Sequence, residues 1–132
     1  MASIRSEIVT TAPPHAVWDA VRDLGALHTR LVPGFVVATR LEADARVVTF
    51  SNGVVARELI IDVNDEERRV VWAAEGTRLS HYNGSLQVFA DGGGSRVAWI
   101  ADFLPHEART FIGTMIDQGM AAMKKTLDAV QG

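Results

Sequence analysis

The sequence contains no cysteine. That excludes a disulfide framework and thiolate chemistry, and it fits a reducing cytoplasm. Basic runs are missing too. The 13 Lys and Arg against 16 Asp and Glu give a net charge of −3, and no basic patch is interleaved with aromatics, so nucleic acid is not an expected partner. No apolar run reaches membrane-spanning length, and the opening MASIRSEIVTTAPP has no long apolar core. Stable membrane insertion is therefore not expected, and the chain reads as a soluble cytoplasmic domain. Neither His-x-His nor His-x-x-x-His occurs, which leaves no convergent ligand set and no metal to expect. A Gly-x-Ser-x-Gly elbow is likewise missing. Gly92-Gly93-Gly94 lacks the strand-to-helix setting of a phosphate loop and reads as a hairpin turn. No cofactor is expected, and no repeat, low-complexity segment or linker divides the chain.

What is present is ordinary in bulk and informative in pattern. The 132 residues, 48% apolar and 22% charged, suit one globular domain spanning 1–132. Nothing in them specifies an oligomeric state. The best-patterned stretch is Pro105 to Val130. Phe111, Ile112, Met115, Ile116, Gly119, Met120, Met123, Leu127 and Val130 recur at helical spacing, with Arg109, Asp117, Lys124, Lys125 and Asp128 largely opposite. That is an amphipathic helix with a wide apolar stripe. Methionine is the most deformable apolar side chain, and glycine is a poor helix former. Such a face can fill an irregular core or roof a cavity of adjustable shape.

Upstream, Ser3 to Thr10 reads as a short strand that Ala12-Pro13-Pro14 ends, because proline cannot donate to a ladder. A helix begins there, with Ala16, Val17, Ala20, Val21 and Leu24 on its buried side and Gly25 as its expected cap. Ala26 to Leu31 suits one more short turn before Pro33-Gly34. From Phe35 to Phe103 the chain reads as consecutive antiparallel strands, with Asn52-Gly53 the strongest hairpin signal. The expected class is α+β: a curved antiparallel sheet of about seven strands, one or two short helices after the first strand, and a long C-terminal helix covering one face. A curved sheet wrapped around a helix tends to leave space between them, a natural pocket.

The order and spacing of several short motifs carry a resemblance. They are Ala12-Pro13 followed by Val17-Trp18 and Asp23; TFSNG running into VVARELI with Asp62; HYNGSLQVF; GSRVAWIADF with Pro105; and the closing QGMAAMKKTL. Together they span essentially the whole chain. In this the sequence resembles the START-like, or Bet v 1-like, helix-grip superfamily (SRPBCC), and within it the small bacterial polyketide cyclase/dehydrase-type members. The resemblance implies a ligand cavity between sheet and helix. Members of the superfamily bind lipids, sterols, quinones, hormones and polyketides, so the fold alone leaves the function open.

Strand parity selects the side chains that would face the cavity. In the last strand Val97, Trp99, Ala101 and Phe103 form the bulkier face and are read as inward. Trp72 shares its parity with Val70 and Ala74 and reads as core or cavity wall. Around HYNGSL, Leu86 and Val88 place Tyr82 and Gly84 inward with His81 and Asn83 outward, unless a bulge near Gly84 reverses the latter pair. His81 and Asn83 would then position a ligand carbonyl or work as an acid–base pair; otherwise they belong to a solvated outer face. In VVARELIIDV, Val55, Leu59, Ile61 and Val63 are grouped with Arg57. If that face is inward, a guanidinium points into apolar space and needs an anionic partner; if the strand ends near Arg57, its head escapes to water. Glu58, on the other face, is read as solvated or paired across the strands with Arg46 or Arg69. From the helix, Phe111, Met115 and Gly119 are read as lining. His28 would lie near the mouth if Ala26–Leu31 forms the entrance segment that the resemblance to the superfamily implies, and otherwise on the surface, as His15 and His106 are.

Three functions follow in order of preference. The first is binding of a small hydrophobic or amphipathic molecule, lipid-, quinone- or polyketide-like, among Trp72, Tyr82, Trp99 and Phe111. The second is a polyketide cyclase/dehydrase-type enzyme in which His81, Tyr82 or Arg57 moves protons or steadies an enolate. The third is a protein-interaction module, which a large outward apolar patch would favour and the mixed polar outer positions do not.

Overall fold

The computed structural model describes residues 2–130. The element order is β1 (Ala2–Thr10), α1 (Pro14–Arg22), a π-helical turn (Leu27–Leu31), β2 (Val36–Glu42), β3 (Ala45–Phe50), β4 (Val55–Asn64), β5 (Arg69–Glu75), β6 (His81–Asp91), β7 (Gly94–Leu104), a 3-10 turn (His106–Ala108) and α2 (Arg109–Asp128). The strands form one antiparallel sheet in the order β1-β7-β6-β5-β4-β3-β2. The chain thus crosses from one sheet edge to the other through α1 and the π turn, then meanders back. This is the expected helix-grip architecture.

Local chemistry explains the boundaries. Pro13 stands in extended conformation as the cap, Pro14 takes the first helical position, and the Pro13 carbonyl accepts from Ala16 and Val17. The helix α1 stops at Arg22, earlier than Gly25, with Asp23 in the capping position. Arg30 then ties the π turn back onto α1 through Asp19 Oδ2 at 2.7 Å and Asp23 Oδ2 at 3.0 Å. The Asn52 side chain accepts from the Val54 amide at 3.0 Å while Gly53 adopts φ +88°, so the β3–β4 hairpin closes where its sequence predicts.

The apolar stripe of α2 lies across the concave face, burying Ile112, Ile116, Gly119, Met120, Met123 and Leu127. Its side runs along β1, where Lys124 Nζ donates to the Val9 carbonyl at 2.6 Å. Helix α1 buries Val17, Trp18, Ala20 and Val21. It is anchored to the β4–β5 turn by the Trp18 indole N–H donating to Asp65 Oδ1 at 2.9 Å. Because a meander alternates its turns, the β2–β3, β4–β5 and β6–β7 turns share that end. The β3–β4 turn, the 76–80 loop and the start of α2 share the other.

Candidate ligand cavity

Between the sheet and α2 lies a cavity of about 1030 Å3, at the upper end of the range usual for small-molecule sites. Its exposed lining residues, Asn52, Val55, Gly76, Arg78, Pro105, Glu107 and Phe111, all belong to one end of the fold, which is therefore the mouth. The buried lining is mainly apolar, from Leu27, Leu31 and Phe35 across Val48 and Leu86 to Ile112 and Ile116.

Registers place Arg46 opposite Glu58, Glu58 opposite Ala74, and Tyr82 opposite Phe103. Since Ala73 pairs with Asn83, Ala74 adjoins Tyr82 and the five form one row across the concave face. Arg46 Nε donates to Glu58 Oε1 at 2.8 Å, with side chains only 3% and 9% exposed. The Arg46 guanidinium stands 5.6 Å from the centroid of the Trp72 ring and donates weakly to the Leu24 carbonyl at 3.5 Å. A buried charge is tolerable because it is paired, stacked and hydrogen-bonded.

The small residue Ala74 leaves room between Glu58 and Tyr82. Burial pushes the Tyr82 phenol well above its ordinary value, and the Glu58 charge adds to the rise. The phenol is thus a fixed donor and not a base at any ordinary pH. The Trp99 indole N–H stands beside the Tyr82 hydroxyl, near enough to oppose that rise slightly but outside hydrogen-bonding geometry. It is buried without a partner. Trp72 and Trp99, with centroids 6.1 Å apart, are the bulkiest part of the wall. Both fit because a neighbour lacks a side chain. A Cβ on Gly84 would fall 2.7 Å from the Trp72 ring, and one on Gly119 would fall 2.9 Å from the Trp99 ring.

The residues expected from sequence divide accordingly. Trp72, Tyr82, Trp99, Phe111 and Met115 line the cavity, with Phe111 half-exposed at the rim. Gly119 is not itself wall but the notch that admits Trp99. Arg57 corrects the expectation for β4. It faces outward and binds Glu42 at 3.2 Å and Glu75 at 3.0 Å, while Ala56 and Glu58 face in. Large outward side chains and a bulge misdirected the parity: Ile61 is 58% exposed, and the register shifts between Ile60 and Asp62, so Val63 does not continue the Arg57 face. His81 and Asn83 also fail to reach the cavity. The β6–β7 register runs unbroken from His81 to Asp91, without the bulge that would turn them in. His28 lies away from the mouth, its Nδ1 3.1 Å from Thr39 Oγ1, while its neighbours Leu27 and Leu31 line the wall. Sequence reasoning offered Arg46 as a partner for Glu58 but set the pair outside the cavity, where the structure buries it in the wall. The signal for the pairing was there, since counting back from the Asn52 turn sets the two opposite each other.

Among the described residues no group of three His, Cys, Asp or Glu could hold a metal, and no helix is long and apolar enough to cross a membrane. The sequence matches the family described as polyketide cyclase / dehydrase and lipid transport over residues 1–128. No curated protein matches it. Among solved structures, a Bacillus thuringiensis protein superposes with a TM-score of 0.86 at 18% identity, covering 96% of this chain and 98% of that one. The protein XoxI from Bacillus cereus gives 0.86 at 20% identity with 96% of each chain covered. A START superfamily protein from Mycobacterium smegmatis gives 0.82 at 9% identity, covering 98% and 99%.

Proposed function

The chain belongs to the polyketide cyclase / dehydrase and lipid transport family, and from that premise we propose that it binds a small hydrophobic or amphipathic molecule in the cavity between the sheet and α2. The observation that carries this reading is the cavity itself: large, apolar on most of its surface and open at one end. A ligand burying about 300 Å2 of apolar surface there would gain about 7 kcal/mol before the cost of lost translation and rotation. Tyr82 supplies orientation, because its protonated hydroxyl can donate to a ligand oxygen.

The enzyme reading is weaker. Of its three expected groups, His81 and Arg57 lie outside the cavity and Tyr82 is held protonated. Proton transfer would then fall to Glu58, which already serves Arg46.

Native mass spectrometry of the freshly purified protein, followed by organic extraction, tests the binding reading. A discrete added mass on the 14.3 kDa chain is the expected result. A bare mass, together with no binding to a panel of lipids, quinones and aromatic polyketides, would overturn it.

A further inference from the structure

We propose that the cavity selects uncharged ligands bearing a hydrogen-bond acceptor over carboxylates, and that Glu58 sets this selection; the inference rests on the cavity being a binding site. Four charged residues line the space: Arg46, Glu58, Arg78 and Glu107. Arg78 and Glu107 stand exposed at the mouth, where water screens them. The interior therefore holds one cation and one anion, 2.8 Å apart. Arg46 gives its Nε–H to the Glu58 carboxylate, stacks on the Trp72 face and reaches the Leu24 carbonyl only weakly, so its charge is balanced by Glu58 while some of its N–H groups stay open.

A carboxylate entering beside this pair loses its hydration and meets a pair of zero net charge, in which the Glu58 charge opposes what Arg46 offers. It gains no net countercharge for that loss. An uncharged carbonyl avoids the penalty. What the wall still offers it are donors: the Arg46 N–H groups not spent on Glu58 and Leu24, the Tyr82 hydroxyl, and beside it the unpartnered Trp99 indole N–H. A small rotation would let the Tyr82 oxygen accept from Trp99 while its own proton stays available to a ligand oxygen. A ketone, quinone or ester oxygen on an apolar body suits this arrangement. Removing the Glu58 charge would leave Arg46 without its counter-ion and invite an anion in its place.

Three probes of one shape separate the possibilities: naphthalene, 2-acetylnaphthalene and 2-naphthoate, titrated by calorimetry at neutral pH. The parent protein is expected to hold 2-acetylnaphthalene at least about tenfold more tightly than 2-naphthoate. Glu58→Gln raises naphthoate affinity relative to the ketone by about tenfold or more. Tyr82→Phe lowers ketone affinity by about fivefold without affecting naphthalene, and it tests the donor should Glu58→Gln fail to fold. Naphthoate binding as tightly as the ketone in the parent would overturn the inference and leave the binding reading standing, as would an unmoved preference in Glu58→Gln. Failure of all three probes to bind, in a protein whose native mass shows a bound molecule, would overturn this inference alone; the same failure with a bare mass and no binding to the lipid, quinone and polyketide panel would remove the binding reading as well.

Discussion

Arg57 and Glu58 are neighbours on β4, and the pleat sends them into different solvents. On the convex side Arg57 joins Glu42 and Glu75, with side chains between a third and a half exposed. On the concave side Glu58 joins Arg46, and both are almost wholly buried. The chemical groups are the same and the distances alike. Water, present on one side and excluded on the other, makes one pair dispensable and the other costly to break. Charged residues in a sequence therefore say little about a site until their side of the sheet is known.

The sharpest way to break this contrast is to halve the inner pair. Arg46→Leu or Glu58→Leu alone should cost about 3–5 kcal/mol in urea denaturation, because each strands a buried charge. The double variant should recover most of that loss. Single variants as mild as surface substitutions would mean that the inner pair is hydrated and the contrast void.

A second test sharpens the concave side without any substitution. Tyr82 is the sole tyrosine of the chain, so tyrosinate absorbance reports on it alone. An ordinary tyrosine, with a pKa of about 10, would be about 90% ionised at pH 11. Folded Tyr82 should remain protonated there. Its raised pKa means that the unfolded chain releases this proton first. Its contribution to stability is therefore complete below the unfolded value and declines as the pH climbs above it. Tyrosinate should appear together with loss of circular dichroism; its appearance in the folded protein would show the phenol open to water.

The smallest effect belongs to the convex side. The Arg57 hydrogen bond, helped by the charge of Arg40, holds the Glu42 carboxyl below its usual value. Its contribution is present above the usual carboxylate range and is lost as the pH falls through the lowered value. Arg57→Ala should move the Glu42 titration upward in NMR while leaving the thermal midpoint indistinguishable from the parent. A large drop in that midpoint would show the outer pair to matter as the inner one does.

The fold was legible in the sequence because its turns carry local chemistry. Pro13-Pro14, Asn52-Gly53 and the glycine run at 92–94 mark boundaries through backbone constraints that tertiary contacts do not override. Parity read correctly in β5, β6 and β7, where the bulky inward residues Trp72, Leu86, Val88, Trp99 and Phe103 alternate with smaller or polar ones. It failed in β4 because Leu59 and Ile61 sit on the outer face while a charged residue sits inside, the reverse of the usual pattern. The most informative polar residue of the cavity, Glu58, was hidden by the feature that makes it informative.

The mouth has a consequence for timing. Its rim is made of the β3–β4 turn, the 76–80 loop and the first turns of α2, with Phe111 half-exposed among them. No strand ladder has to open for a molecule to pass. Exchange of the proposed ligand would therefore need only side-chain and loop displacements, which run on the nanosecond-to-microsecond scale. On the binding proposed above, residence time would be governed by how firmly the interior holds its guest, and rim and interior could vary independently, one setting how fast the site fills and the other how long it stays full.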